Sequence, residues 1–287
     1  MPESSTRVSL YLVGTPIGNL EDITYRAIRT LKEVDLIACE DTRQTQKLLN
    51  HYGIETHTTS YHEHNELTKS AELVMHLEQG KSIALVADAG MPGISDPGFR
   101  LVTLAIRHHI PVVPIPGPSA FLSALVASGL PTDAFRFLGF LPSKEGQRAK
   151  ALEQMCNSTR TVIFYEAPHR LVESVEEIVQ VLGPDRPVVI AREVTKLHEE
   201  FVRGTAKEIL EQLQARDEIR GEITLLIGRA PEQQRGPSVF NASTVRTRVR
   251  ELMKAESLDE RDALKRVAKE MGVSKSEAYR ELQKTKS

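Results

Sequence analysis

The sequence predicts an α/β protein with a largely parallel sheet, because short apolar runs alternate with segments of helical spacing through its first half. The clearest apolar run is SIALVAD at residues 82–88, and similar runs are SLYLVG at 9–14 and PVVPI at 111–115. Uninterrupted apolar runs of this kind are typical of strands buried on both faces. Helical segments between such strands favour βαβ units.

A loop rich in glycine and proline follows each of these three strands. The loops are GTPIGN at 14–19, DAGMPGISDPG at 88–98, which carries the acids Asp88 and Asp96, and PGPSA at 116–120. Open α/β sheets bind their ligands at the carboxyl ends of the strands. The pattern therefore predicts an enzyme with a preformed small-molecule cleft. The first loop is not the dinucleotide fingerprint, because Pro16 stands where a second glycine is needed.

Changes of pattern predict three parts, at residues 1–130, 131–230 and 241–287, with the first boundary near Pro131–Ala134 and a polar linker at Ala230–Ser238. The first part has the spacing of five helices, Glu21–Val34, Thr42–Tyr52, Asn65–Gln79, Phe99–His108 and Ser119–Ser128, and a further strand at 35–40. The second part predicts a mixed sheet. After a short aromatic strand, its elements are helices at Gln147–Cys156, Leu171–Leu182 and Ala206–Gln214 and strands at Thr161–Tyr165, Val188–Ala191 and Glu222–Gly228.

The last part is predicted to be helical over Ser243–Leu282. Gly272-Val273-Ser274 gives it a turn typical of a helix-turn-helix, and a plain helical hairpin is the alternative. Residues 241–287 hold 12 Lys+Arg and 8 Asp+Glu, a net charge of +4, whereas the whole chain has −2. A basic end on an acidic body favours a polyanionic partner, and a solvated tail is the alternative.

Composition restricts the class of protein. The sequence has no run of about 18 apolar residues, so no membrane span is expected. The start lacks the apolar core of a signal peptide. Cys39 and Cys156 are far apart, so neither a disulfide framework nor a cysteine zinc site is expected and a cytoplasmic location fits best. His62, Glu63, His64 and Asn65 form a polar box without an evident third metal ligand, so we expect no metal there and favour a polar loop facing RNA or the cleft.

Several segments, taken together in their order along the chain, resemble the motifs of one family. They are TPIGNLEDIT, CEDTR, HEHN, DAGMPGISDPG, PGPSA, FYEAPHR and AREVTK, and the resemblance spans about residues 8–285. The chain resembles the bacterial 16S ribosomal RNA 2′-O-ribose cytidine methyltransferases of the tetrapyrrole-methylase superfamily. The resemblance implies two α/β domains with S-adenosylmethionine between them and a homodimer. It also implies methylation of a decoding-region cytidine in the small ribosomal subunit.

The resemblance also implies the residues that bind the methyl donor. From the three loops and the second domain these are Gly14, Thr15, Pro16, Ile17, Asp88, Gly90, Met91, Pro92, Pro118, Ser119, Ala120, Tyr165, Glu166, Glu222 and Leu225. Three of them have a purely structural alternative role: Asp88 and Ser119 as helix N-caps, and Tyr165 as a core residue.

Transfer to a ribose hydroxyl, a very weak acid, calls for a base or cation at the second domain. The candidates are Glu193 and Lys196, with Arg192 orienting phosphate or hydroxyl; a solvated loop is the alternative. Another strand ends at a charged group, Glu40, Asp41 and Arg43. These side chains form either a structural ion pair or a wall of the cleft. The rival functions are a superfamily methylase acting on a tetrapyrrole or protein, a nucleotide-binding regulatory module without catalysis, and, on the basic tail alone, a DNA-binding repressor.

Overall fold

The computed structural model describes residues 8–230, 242–256, 258–270 and 275–283. Residues 8–229 pack as one compact unit, and the described residues from 230 onward form a second. The predicted linker after Ala230 and the predicted turn at Gly272-Val273-Ser274 lie outside the described residues.

The first sheet is entirely parallel, as predicted. Its strands are β1 (Leu10–Val13), β2 (Leu36–Cys39), β3 (Thr58–Ser60), β4 (Ile83–Val86) and β5 (Val112–Ile115). Their order is β3-β2-β4-β1-β5. Because β1 lies between β4 and β5, the three glycine- and proline-rich loops leave the sheet side by side at its carboxyl edge.

Helices follow the strands of this sheet. They are α1 (Tyr25–Glu33), α2 (Thr42–His51), α3 (Glu66–Glu78), α4 (Phe99–Arg107) and α5 (Ala120–Ser128). Apolar side chains of α1 and α2 fill one core cluster, and those of α3 and α4 fill another. The first helix begins later than predicted. Residues Leu20–Asp22 form a separate 3₁₀ turn, and the Thr24 hydroxyl accepts a hydrogen bond from Ala27 N to cap α1.

The second sheet is mixed, also as predicted. Its strands are β6 (Phe135–Phe140), β7 (Thr161–Glu166), β8 (Pro187–Arg192), β9 (Glu200–Thr205) and β10 (Ile223–Ile227). The order is β6-β7-β10-β8-β9, with β6 and β7 parallel and the other pairs antiparallel. One face packs against α6 (Glu145–Glu153), α7 (Leu171–Leu182) and α8 (Ala206–Gln214). The sequence pattern did not predict β3 or β9.

The opposite face of the second sheet packs against α5, which precedes the predicted boundary at residues 131–134. Ala124 and Leu125 of α5 are buried with Ile163, Val189 and Leu226 of three strands. Ile17, in the loop after β1, belongs to the same cluster. The two sheets therefore share apolar contacts through α5 and this loop, which fixes the cleft between them.

The second unit contains the predicted helices of the tail. They are α9 (Ala242–Glu256), α10 (Glu260–Glu270) and α11 (Lys275–Gln283). Each packs against the other two around a small apolar core that includes Val245, Val249, Leu264, Val267 and Ala278. In its described residues this unit has three helices, one more than a hairpin. In the part of the chain that the structure describes, no helix is both long and apolar enough to span a bilayer.

Candidate functional site

A cavity of about 420 Å³ lies between the two sheets. This volume is within the usual range for small-molecule sites. The first half contributes the loop after β4, Ile17, Ser119 and Ala120, and the second half contributes the ends of β6, β7, β8 and β10. Nine of the predicted donor-binding residues line it: Ile17, Asp88, Gly90, Met91, Ser119, Ala120, Tyr165, Glu166 and Glu222.

The predicted residues Gly14 and Thr15 hold the loops together from behind the cavity. Thr15 N donates to Gly90 O at 2.9 Å, and Gly90 N donates to Thr15 O at 3.1 Å. The buried Thr15 hydroxyl donates to Ala87 O at 3.0 Å. These bonds join the loop after β1 to the loop after β4. Of the other predicted residues, Pro16 and Pro92 are absent from the lining, and Pro118 faces a different concavity.

Gly14 is required by close packing of backbone. A Cβ atom at Gly14 would lie 2.8 Å from Gly117 Cα and 2.7 Å from Met91 Sδ. Neither separation is tolerable for a methyl group, so any side chain here would push the three loops apart. Gly14 lies in a rigid loop, as its sequence predicts, but the partner in its closest backbone contact, Gly117, was not among the predicted residues.

The cavity is acidic on the side of the first sheet. Asp88 and Asp96 line it, and Glu40 lies close enough to act on both. Burial, and then the charges of Glu40 and Asp88, raise the pKa of Asp96 to about 6. Among the described residues, no donor or cation contacts the Asp96 carboxylate. Ser95, just before it, has φ +61°, a backbone conformation that costs free energy in a residue other than glycine.

The side chains of Asp88 and Ser119 do not cap the helices that follow them. The N-cap position of α4 is Gly98, and Asp88 Oδ1 accepts from Asp41 N at 3.1 Å. Ser119 does occupy the N-cap position of α5, but its side chain makes no capping hydrogen bond. The Ser119 hydroxyl therefore remains available to the cavity that it lines.

Tyr165 forms part of the wall contributed by the second sheet. Its ring packs edge-on against Phe137 and Phe140, with centroid distances of 4.9 and 5.6 Å. It is partly buried and lines the cavity, so it is not solely a core residue. Burial, followed by the negative charges of Asp96 and Glu222, raises the pKa of Tyr165. The phenol stays protonated near neutral pH and can donate a hydrogen bond.

Two residues predicted to contact the donor have structural contacts instead. The Glu166 carboxylate is fully buried and accepts from Arg170 Nη2 at 2.8 Å and from Ser174 Oγ at 2.7 Å. The carboxylate fixes the turn after β7. Although Glu166 is a lining residue, its carboxylate is therefore occupied by contacts within the protein. Leu225 is fully buried on the face of β10 that packs against α7 and α8, away from the cavity.

Glu193 and Lys196 form an ion-paired cluster beside the cavity. Glu193 Oε1 accepts from Lys196 Nζ at 2.9 Å and from Glu222 N at 2.8 Å. Lys196 Nζ also lies 3.2 Å from Glu222 Oε1. The backbone N–H of Glu222 and then Lys196 lower the pKa of Glu193, while the two carboxylates raise that of Lys196 despite burial. Glu193 is thus a weak base, and Lys196 is a cation that holds this edge together.

Arg192 is engaged with groups outside the cavity. Its Nε donates to Glu200 Oε2 at 3.0 Å and its Nη1 donates to Arg220 O at 3.3 Å. Arg216 binds the same carboxylate, and the two arginines, Arg216 above all, bring the pKa of Glu200 to about 2. The structure therefore places Arg192 in an ion-pair network that joins β8 to β9.

The other polar segments lie outside the cavity lining. Asp41 and Arg43 form an exposed ion pair at 3.0 Å, one of the two roles considered for them. In the His62–Asn65 box, Asn65 Oδ1 accepts from His62 N at 2.9 Å and shapes the turn before α3. No group of three or more metal-ligating side chains is found within the described ranges.

The sequence that forms this cleft matches a known family. Residues 9–210 fit the family model described as Tetrapyrrole (Corrin/Porphyrin) Methylases. The chain belongs to the tetrapyrrole methylases. Membership in this family identifies it as a methyltransferase and accounts for the paired α/β halves.

Curated relatives within the family share a more specific name. A protein of Halalkalibacterium halodurans named ribosomal RNA small subunit methyltransferase I is 49% identical over 94% of this chain and 93% of its own length. The protein of that name in Bacillus subtilis is 44% identical over 94% and 92% of the two chains. These alignments include most of the second unit.

Solved structures of other proteins share the fold. The methyltransferase CobJ matches with a TM-score of 0.59 and 18% identity over 77% of this chain and 94% of its own. Uroporphyrin-III C-methyl transferase of Thermus thermophilus, complexed with S-adenyl homocysteine, matches with a TM-score of 0.53 and 22% identity over 77% and 98%.

Proposed function

We propose that this chain transfers a methyl group from S-adenosylmethionine to a ribose 2′-hydroxyl of a decoding-region cytidine in 16S ribosomal RNA. The observation that carries the proposal is the acidic cavity between the sheets, together with relatives named as methyltransferases of small-subunit ribosomal RNA.

The cavity has the chemistry that a cationic donor requires. S-adenosylmethionine carries a sulfonium and an ammonium charge. The lining includes the carboxylates of Asp88, Asp96 and Glu222, and no lysine or arginine is among the described residues that line it. Opposite charges attract most strongly where water is partly excluded. An anionic nucleotide would find no such partner here, which disfavours the nucleotide-binding regulatory module.

The apolar and backbone parts of the lining suit the rest of the donor. Ile17, Met91 and Val194 supply apolar surface, and Gly90 and Ala120 expose backbone at the loops. Glycine allows a ligand to approach the main chain closely. We propose that these residues hold the donor, together with Asp88, Asp96, Ser119 and Tyr165.

Most of the catalytic effect is assigned to positioning. The donor supplies a methyl group already activated by the sulfonium, so alignment with the incoming hydroxyl carries much of the rate. We assign Lys196 the role of favouring the ionised hydroxyl with its charge, because its Nζ lies 3.2 Å from Oε1 of the lining residue Glu222. Glu193 and Arg192 orient this edge through Glu222 N and Glu200.

The second unit is proposed to contact the RNA. Arg250, Arg261 and Lys265 are exposed on its helices. Replacing all three by Gln should leave donor affinity unchanged and weaken binding to small ribosomal subunits. The slope of log affinity against log salt should become shallower by about 2 if all three contact phosphate. An unchanged slope would contradict this contact.

Dimerisation and location complete the proposal. Exposed apolar side chains, Leu122 and Val126 on α5 and Leu138 on β6, support a homodimer. The two free cysteines suit the reducing cytoplasm, where ribosomes are assembled. Light scattering of the full chain should give about twice the mass of 32.0 kDa.

The deciding experiment incubates the full chain with radiolabelled donor and unmodified small ribosomal subunits. Label should enter the 16S RNA at one ribose, mapped by resistance to alkaline cleavage. Label in protein, or transfer to a porphyrinoid only, would favour the other superfamily activities. Titration calorimetry of donor alone tests the cavity separately.

A further inference from the structure

A second concavity lies behind the loops that form the donor cavity, and we call it the outer groove. It is lined by Asp22, Thr24, Pro116, Gly117, Pro118, Ser123 and Thr195 and encloses about 380 Å³. The two spaces share their walls. Ser119 and Val194 face the donor cavity, whereas their chain neighbours Pro118 and Thr195 face the outer groove.

Thr195 is held in this wall at a cost. Its φ of +71° is left-handed, and that of Glu193, two residues earlier, is +52°. Two such residues in one loop indicate strain of the kind concentrated at binding sites. The Thr195 hydroxyl is buried and has no hydrogen-bond partner among the described residues. A buried hydroxyl without a partner is unfavourable, and a ligand in the groove could satisfy it.

An exposed aromatic residue is the chain neighbour of a lining residue of the groove. Tyr25 directly follows Thr24 at the start of α1 and is 94% exposed. Leu197 lies two residues beyond the lining residue Thr195 in the chain and is 93% exposed. The exposed ring of Tyr25 and the two prolines that line the groove offer apolar surfaces against which a planar ring can stack.

Two exposed arginines follow Tyr25 on the same helix. Arg26 and Arg29 are exposed on α1 and, within the described part of the chain, form no ion pair. Arginine beside an exposed aromatic ring is the usual combination for unpaired nucleotides, in which the base stacks and the phosphate meets the cation. Asp22 and the hydroxyls of the groove supply hydrogen-bonding groups for base edges or ribose.

From these features we propose that the outer groove binds an unpaired nucleotide of the substrate RNA that flanks the methylated one. The base stacks on Tyr25, the Thr195 hydroxyl bonds to it, and Arg26 and Arg29 contact the adjoining phosphates. This inference rests on the proposed RNA methylation. It adds a site that would hold the strand while the target ribose faces the donor.

The first test is kinetic, on the full chain with unmodified small ribosomal subunits. Tyr25→Ala should raise KM for the subunits about tenfold, the scale of one lost stacking contact. The donor dissociation constant should not change. Tyr25→Phe should keep the wild-type KM. Ile106→Ala, which removes an exposed side chain on α4 in the opposite helical layer, is the matched control.

The second test uses the Thr195 hydroxyl. Thr195→Val keeps the shape of the side chain and removes a buried group that has no partner, so it should not lower the melting temperature. It should still raise KM for the subunits severalfold. If Thr195 has only a structural role, Thr195→Val should leave KM unchanged and should leave the melting temperature either unchanged or lowered.

A photocrosslink distinguishes failure of this inference from failure of the proposed function. A benzophenone amino acid at position 25 should crosslink to 16S RNA near the methylated nucleotide, and one at position 106 should not. Normal methylation by the wild type, with unchanged KM in Tyr25→Ala and no crosslink from position 25, overturns the groove alone. Absence of methylation by donor-bound wild type overturns the proposed function.

Discussion

One group of carboxylates lies on each half of the molecule, and their surroundings differ. On the first sheet, Asp96 is partly buried, has no cationic partner within the described residues and has a pKa raised to about 6. On the second sheet, Glu193 and Glu200 are bound by Lys196, Arg192 and Arg216, and their pKa values are lowered. Acids already neutralised by protein cations maintain structure, whereas an acid left without a partner is available to a cationic ligand.

The largest effect is expected from removing the unpaired acid. Asp96→Asn should weaken the affinity for S-adenosylmethionine about 10- to 100-fold, because hydrogen bonds and attractions to a charged group contribute about 1.5–3 kcal/mol. Titration calorimetry measures the change. Asp185→Asn, at an exposed acid far along the chain, is the control. If both variants bind the donor as the wild type does, Asp96 is not part of the donor site.

The neutral product sharpens this result. S-adenosylhomocysteine lacks the sulfonium charge, so Asp96→Asn should reduce its affinity much less than that of the donor. Equal losses for the two ligands would assign Asp96 to the amino group or to the shape of the cavity instead.

Loop spacing gives the next effect. Gly14→Ala forces a methyl group to within 2.8 Å of Gly117 Cα, so the loops must separate and donor affinity should fall about tenfold. Gly146→Ala is a suitable control, because Gly146 lies in α6 with open space around its Cα and should gain about 0.5–1 kcal/mol of stability. Calorimetry and thermal unfolding measure both. Unchanged donor affinity in Gly14→Ala would mean that the loops do not need this close approach.

This contrast also shows what could be predicted from sequence. The strands β1, β4 and β5 are continuous apolar runs, so their loops and the cleft beside them were predictable from pattern alone. The edge strands β3 and β9 were missed because TTS and EFVRGT lack such runs. An edge strand pairs on one side only and needs less apolar surface.

Partners of charged side chains were harder to foresee. Arg192, Glu193 and Lys196 are adjacent polar residues at a strand end, which is also the pattern of a catalytic loop. Only the fold brings Glu200, Arg216 and Glu222 N to them. Leu225 was misplaced because an apolar run does not tell which face of a strand meets the ligand and which the core.

A smaller, selective effect is expected on the paired side of the cleft. Lys196→Met removes the charge but keeps the aliphatic stem that packs on Gly18. It should lower kcat severalfold to about tenfold with little change in donor affinity, if the cation favours the ionised hydroxyl. Single-turnover methylation and calorimetry separate the two quantities. Equal losses in both would place Lys196 in the donor pocket.

The smallest effect concerns stability and its dependence on pH. Because the pKa of Asp96 is raised in the folded protein, its contribution to stability is fully present below the unfolded value of about 4 and is lost as pH rises through about 6. Asp96→Asn should therefore raise the melting temperature of the ligand-free protein by a few degrees at pH 8 and leave it nearly unchanged at pH 4. Thermal scans of both proteins across this range test the sign. A lower melting temperature at pH 8 would show that the ionised carboxylate stabilises the fold. Asp96 would then have a structural role, as Glu193 and Glu200 do.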